Sequence, residues 1–157
     1  MEMSFAVRRV DDPAEKSACV RSVLARLPEW FGDAAAVAGY ARQAAGLTCW
    51  AAEMDGECAG ILAAETHYGH TGEVVVCGVL PELHGKGLGR ALYLAAEQYF
   101  RAEGCRYAVV KTLSDAADYA PYARTRRFYR RMGFEELLTL TEMWDEDNPC
   151  LVMVKVL

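Results

Sequence analysis

Six residues, HGKGLG at 84–89, constrain this chain more than any other stretch. They join an almost continuous apolar run, EVVVCGVL (73–80), closed by Pro81, to a segment in which Leu88, Leu92, Ala95 and Tyr99 recur on one helical face until Gly104. A strand that hands over to a helix through Gly85, Gly87 and Gly89 bends sharply and exposes amide N–H groups at the helix start. Such amides carry partial positive charge and form an anion site; glycine lets the backbone approach the anion and take positive φ. The stretch is not a P-loop, which needs four residues between its first glycine and Gly-Lys-Ser/Thr. Nor is it the dinucleotide fingerprint, whose Gly-x-Gly-x-x-Gly follows a strand of a parallel crossover. A glycine-rich helix entry with no ligand is the bland alternative.

The rest of the chain supplies a setting for that turn. SFAVRRV (4–10) reads as a strand, 13–27 as a helix opened by Pro13, and 33–45 as a second helix capped by Asp33 and stopped by Gly46. TCWAAEM (48–54) and CAGILAAETH (58–67) are strands joined by Asp55-Gly56, a hairpin signal. After the turn YGHTG, the run at 73–80 reads as a central strand buried on both faces. RYAVVKTL is another strand, 121–132 a basic helix closed by Gly133, and FEELLTL and PCLVMVKVL are strands joined by an acidic loop, TEMWDEDN. The order βααβββαβαββ predicts an α+β fold, a mixed, mostly antiparallel sheet flanked by helices, in one domain over 1–157.

Composition removes several classes of function. A net charge of −5 gives duplex nucleic acid no global attraction. None of the six cysteines has the spacing of a zinc knuckle or redox pair, so they read as small buried hydrophobes and no metal is expected. No apolar stretch approaches membrane-spanning length, and MEMSFAVRRVDD lacks the long apolar region of a signal peptide. A cytoplasmic protein with no membrane partner is the expectation; a homodimer is left open.

Val79-Leu80-Pro81, followed by His84-Gly85-Lys86-Gly87-Leu88-Gly89 and Ala91-Leu92, resembles the acyl-CoA-binding motif of the GNAT family of N-acetyltransferases. That motif is Val-x-Pro, a spacer, then Gln/Arg-x-x-Gly-x-Gly/Ala; His84 stands where Gln or Arg is usual. A second run, Thr125-Arg126-Arg127-Phe128-Tyr129-Arg130-Arg131-Met132-Gly133-Phe134, is similar to the family's Ala-x-x-Phe-Tyr-x-x-x-Gly-Phe signature, and the element order resembles the family fold. The resemblance implies that some six consecutive amides of the loop wrap the pyrophosphate of acetyl-CoA, with Lys86 and Arg90 adding charge. It also implies that the strand at 73–80 splays from the one at 107–112, so that the backbone of Cys77 and Val79 can bind the pantetheine arm like an added strand. Arg124, Arg126, Arg127, Arg130 and Arg131 read as solvated charges on their helix, one or two of which could reach a 3′-phosphate.

Acyl transfer from a thioester to an amine needs a neutral amine, a donor for the developing oxyanion and a proton for the leaving thiolate. By resemblance, Tyr129 is the general acid, the Cys77 N–H the oxyanion donor and Glu73 the general base. Glu73 shares a strand face with Cys77 at roughly 13 Å, so it would work through water. His67 and His70, in the adjoining turn, are weaker rivals. Glu29, Trp30, Phe31 and Trp144 would flank the acceptor, where aromatic faces and carboxylates suit a cationic amine. The expectation is an enzyme that acetylates a small cationic or amino-acid-like amine by direct attack on the thioester. The alternatives are a protein N-terminal or lysine acetyltransferase and a non-catalytic acyl-CoA-binding module.

Overall fold

The computed structural model describes residues 4–157. Its strands are β1 (Ala6–Val10), β2 (Thr48–Met54), β3 (Glu57–His67), β4 (Thr71–Val79), β5 (Tyr107–Leu113), β6 (Glu135–Asp145) and β7 (Asn148–Val156). Its helices are α1 (Pro13–Leu24), α2 (Ala34–Ala44), α3 (Leu88–Ala102) and α4 (Ala120–Arg131), with single 3-10 turns at Pro81–Leu83 and Asp115–Ala117. The seven strands form one sheet in the order β1-β2-β3-β4-β5-β7-β6. The β4–β5 ladder is parallel, and β1–β2, β2–β3, β5–β7 and β6–β7 are antiparallel. This is the mixed, mostly antiparallel α+β sheet with four helices that the element order predicts.

Local chemistry explains the boundaries. The Asp12 carboxylate accepts from the Glu15 amide at 2.9 Å and starts α1 one residue before Pro13; Asp33 does the same for α2 through Ala35. Asp55 and Gly56 both take positive φ, which closes the β2–β3 hairpin as a two-residue turn. Gly104 and Gly133, at φ 84° and 100°, end α3 and α4.

The described residues group into two compact units. The first runs up to Glu65 and resumes at Val75–Tyr99; the second comprises Thr66–Val74 and Phe100–Leu157. In the first, Val23, Leu24 and Leu27 crowd β4 at Gly78, where a Cβ would stand 2.9 Å from Leu27 Cδ1. Leu92 of α3 closes on β3 at Gly60 in the same way, 3.1 Å from a Cβ built there. The core of this unit is completed by Trp50, Ile61, Leu62 and Tyr93. In the second unit the Phe100 ring lies across Gly72, and a Cβ at that position would fall 2.3 Å from a ring carbon. These glycines are chosen for close approach of helix and strand.

Two expectations fail. β4 is not buried on both faces: Gly72, Val74, Val76 and Gly78 are buried, whereas Glu73, Val75, Cys77 and Val79 keep partial exposure. The apolar composition concealed the alternation, because valine and cysteine occupy the half-open face as well. The acidic stretch 141–148 is not a loop either. β6 continues through Trp144 to Asp145, whose carboxylate accepts from the Asp147 amide at 2.9 Å and from Asn148 Nδ2 at 2.8 Å. Those bonds fold residues 146–147 into a tight turn.

Candidate active site

The 84–90 loop is built as its glycines suggest, with one qualification. Gly85 and Gly87 take φ of 76° and 91°, in the left-handed region that favours glycine, and a Cβ on either would meet nothing within 4 Å. The turn therefore needs these glycines for backbone conformation, and it presents open space on the side where side chains would stand. Gly89 already lies inside α3, as its second residue. The first helical bond of α3 runs from the Ala91 amide to the Gly87 carbonyl at 3.0 Å, which leaves the amides of residues 88–90 ahead of the ladder. The expectation of some six consecutive amides is too generous. The His84 amide donates to the Pro81 carbonyl at 3.2 Å and the Lys86 amide to the Leu83 carbonyl at 3.3 Å, so the donors left to an anion alternate through the turn and become consecutive only from Gly87. Lys86 and Arg90 are exposed at its edge.

His84 does something specific to this chain. Its Nε2 lies 2.7 Å from the Val79 carbonyl, an acceptor only, so Nε2–H donates and the ring is fixed in that tautomer. The bond staples the cradle back onto β4, and one lone pair of the carbonyl expected to meet a pantetheine arm is already used. The indole of Trp30 stands edge-on to the same imidazole at 5.5 Å, and Arg26 on the turn after α1 binds Glu82 at 2.6 Å. The PEWFG segment is thus tied to the cradle. Phe31 packs instead on Tyr40, and Glu29 is exposed.

The half-open face of β4 carries Cys77 and Val79 in the first unit and Glu73 in the second. The β4–β5 ladder runs from Thr71↔Tyr107 to Val74↔Val110, so residues 75–79 lie outside it, as the resemblance implies. Apolar surroundings push the Cys77 thiol up to about 12, which keeps it protonated and un-nucleophilic near neutral pH.

In the second unit Glu73 is not a strand-end carboxylate in solvent. Its side chain is 12% exposed; Oε1 lies 2.8 Å from His67 Nε2 and Oε2 3.5 Å from Lys111 Nζ. By sequence His67 is a weaker rival of Glu73 and Lys111 has no role; the structure joins all three. The short turn Tyr68-Gly69-His70 brings His67 Nε2 within 2.8 Å of Glu73 Oε1, so the turn length held this signal. The pairing of Glu73 with Val109, two residues before Lys111, was not readable from the chain. His70 turns elsewhere: its Nδ1 bonds Thr71 Oγ1 at 2.7 Å and its ring stacks on Tyr68.

Tyr129 is 5% exposed on α4, with the Phe128 and Phe134 rings edge-on at 5.2 and 5.5 Å. Two aromatic walls fix the phenol and leave its ring few alternatives. Arg126, expected as solvated charge, is buried at 6% exposure and donates from Nη1 to the Leu113 carbonyl at 2.7 Å. It anchors α4 to the end of β5 and is removed from the candidates for phosphate binding. Trp144, expected on a loop, stands on β6 and is 43% exposed. Among the cysteines, burial pushes Cys49 up to about 11 and Cys58 up to about 12. Cys58 Sγ lies 3.5 Å from the Gly60 carbonyl, and Cys19 and Cys58, 39 positions apart in sequence, each bear on the other's thiol, a pairing invisible to spacing rules.

A profile of the acetyltransferase (GNAT) family matches residues 17–134. The chain is 28% identical over 107 residues to an uncharacterised N-acetyltransferase of Methanocaldococcus jannaschii, covering 68% of this chain and 64% of that one. It is 35% identical over 102 residues to a mycothiol acetyltransferase of Arthrobacter sp., covering 62% of this chain and 28% of the relative. It therefore spans under two thirds of the length of either relative. Among solved structures, one assigned to the GNAT family, from Desulfovibrio desulfuricans, superposes with a TM-score of 0.81 at 24% identity over 98% of this chain and 99% of that one. An aminoglycoside 6′-N-acetyltransferase complexed with coenzyme A gives 0.73 at 19% identity over 96% of each. The glycine turn, the Phe-Tyr helix and the sheet order agree with the profile match, and the chain belongs to the GNAT acetyltransferase family.

Proposed function

We propose that this chain is a single-domain N-acetyltransferase that moves the acetyl group of acetyl-CoA to a primary amine of a small cationic or amino-acid-like acceptor. The observation that carries the reading is the turn at 84–90. Positive φ at Gly85 and Gly87, open space at both Cβ positions and the leading amides of α3 fit a pyrophosphate, with Lys86 and Arg90 at the rim. Acetyl-CoA supplies an activated thioester; this chain's residues handle the protons and the charge. Glu73 accepts a proton from the incoming ammonium through water, the Cys77 N–H meets the developing oxyanion, and the Tyr129 hydroxyl protonates the departing sulfur. Direct attack is favoured over an acyl-cysteine intermediate because the thiol nearest the proposed chemistry is held protonated.

Glu29, Trp30 and Phe31, with Trp144 on β6, are the proposed acceptor contacts. The relative named a mycothiol acetyltransferase supports a small-molecule amine. No described helix is long and apolar enough to cross a membrane. A thiol-release assay with acetyl-CoA and a panel of amino acids, polyamines, aminoglycosides and peptide N-termini tests the reading. Turnover with small amines supports it. Turnover confined to peptides moves the acceptor to protein, and tight coenzyme A binding without turnover on any amine makes the chain a binding module.

A further inference from the structure

An amine that arrives as an ammonium loses two protons on the way to an amide. As the C–N bond forms and the C–S bond breaks, the electron pair of the latter goes to sulfur. One proton ends on that sulfur through Tyr129, which is refilled. The other must leave the protein. Glu73, as the proposed first acceptor, is poorly placed to deliver it to water itself, being 12% exposed with both oxygens occupied. Of the two groups that touch it among the described residues, Lys111 serves only as a donor to the carboxylate. The other is an imidazole, which can take a proton, and its side chain is 39% exposed.

We propose that His67 is the proton exit of this enzyme, a positioning residue that acts through Glu73 and carries the surplus proton from the Glu73 carboxyl to solvent. The inference rests on the reading of Glu73 as the base. Against the ionised Glu73 carboxylate Nε2–H donates. Once Glu73 is protonated, exchange with water moves the ring proton to Nδ1, the proton on Glu73 crosses the 2.8 Å contact to Nε2, and the imidazolium gives its Nδ1 proton to water, which returns the ring to the Nε2–H form. The charges facing the ring suit a transient cation. Glu73 faces it from β4. Lys111 opposes from β5 on the far side of Glu73, and the Cys150 thiol of β7, within the field of both, is kept neutral by burial.

The test compares His67→Ala, His67→Gln and Glu73→Gln. In both His67 variants kcat falls about tenfold, less than the ~10²–10⁴ of general acid–base catalysis because water substitutes in part. KM for acceptor and acetyl-CoA holds, and the acid limb of the kcat profile moves. Added imidazole restores kcat of His67→Ala in a saturable way and does nothing for Glu73→Gln. Full activity in His67→Gln would show that the ring only props Glu73, and would overturn the proposal. Unchanged kcat in His67→Ala beside an impaired Glu73→Gln would also overturn it while leaving Glu73 as the base; unchanged kcat in all three would remove the base reading itself. A readout free of turnover is the ring-nitrogen NMR spectrum of the protein without substrates. The His67 signals shift in Glu73→Gln while those of His70 and His84 stay, and an unmoved His67 would overturn the contact.

Discussion

The loop at 84–90 and the cluster around Glu73 solve different problems with different parts. The loop, proposed to hold an anion, would do so with its backbone: two glycines at positive φ, amides ahead of a helix, and side chains only at the rim. The cluster, proposed to carry protons, works through side chains alone, with His67, Glu73 and Lys111 brought together from three strands. The loop is local, seven consecutive residues whose conformation follows from their own sequence. The cluster exists only once a hairpin and a parallel ladder have set their registers. Backbone chemistry should tolerate the loss of side chains and fail on their addition; side-chain chemistry should fail on the loss of single atoms.

The sharpest way to break that contrast is Tyr129→Phe, in the second unit. The ring keeps its packing against Phe128 and Phe134, so the variant should fold and bind acetyl-CoA as before. With the proton donor gone, kcat should fall by roughly 10²–10⁴ with KM for acetyl-CoA little changed, and by more than in Glu73→Gln. Steady-state kinetics with undiminished turnover would show that another group protonates the thiolate.

The loop gives the complementary pair. Gly89→Glu puts a chain and a negative charge where a phosphate should approach, and should weaken coenzyme A binding about a hundredfold. Lys86→Ala, which removes one exposed contact, should cost less than about tenfold. Calorimetry on the folded variants reads both. Equal affinities for wild type and Gly89→Glu would take the loop out of the site, and a larger loss in Lys86→Ala would make it a side-chain site after all.

This division also explains what could be read in the sequence. The turn, the hairpin at Asp55-Gly56, the Asp33 cap and the glycine helix ends rest on interactions within a few residues, and all are found. The element order follows from period and punctuation, and the sheet follows from the order. What was missed is non-local or concealed by composition. Arg126 looked like its exposed neighbours Arg124 and Arg127, and only its position opposite the Leu113 carbonyl makes it a buried anchor. His84 looked like a mild departure from a motif, but its length lets it reach the Val79 carbonyl. Trp144 reads as a loop residue because four acids in eight residues suggest solvent, whereas β6 runs on to Asp145, whose side chain closes a two-residue turn into β7.

The smallest expected effect separates the units by pH. The largest rises among the thiols lie in the unit that holds the cradle, where burial pushes Cys49 to about 11 and Cys58 and Cys77 to about 12 from an ordinary 9.0. Well below pH 9 these thiols are neutral in folded and unfolded chain alike, and burying them carries no ionisation penalty. Above it the unfolded chain ionises first, so stability should fall on the order of 1 kcal/mol per thiol per pH unit until the folded thiols also titrate. Thermal melts between pH 8 and 10 should show the decline, with a shallower slope in Cys58→Ala. A slope that Cys58→Ala leaves unchanged would mean that this thiol is not kept neutral by the fold.

β6 is an edge strand with Leu137, Leu138, Leu140, Met143 and Trp144 all substantially exposed. Such an edge invites pairing with another chain, and here it is guarded by Glu135, Glu136, Glu142 and Asp145, all exposed, and by register breaks after Glu136 and Leu140. These acids add little to the folding free energy, since surface carboxylates rarely do. Their expected contribution is colloidal, a like-charge repulsion between copies of this edge. In this strand solubility and stability are written in different residues, and a chain stripped of those charges could melt at an unchanged temperature while no longer staying dispersed.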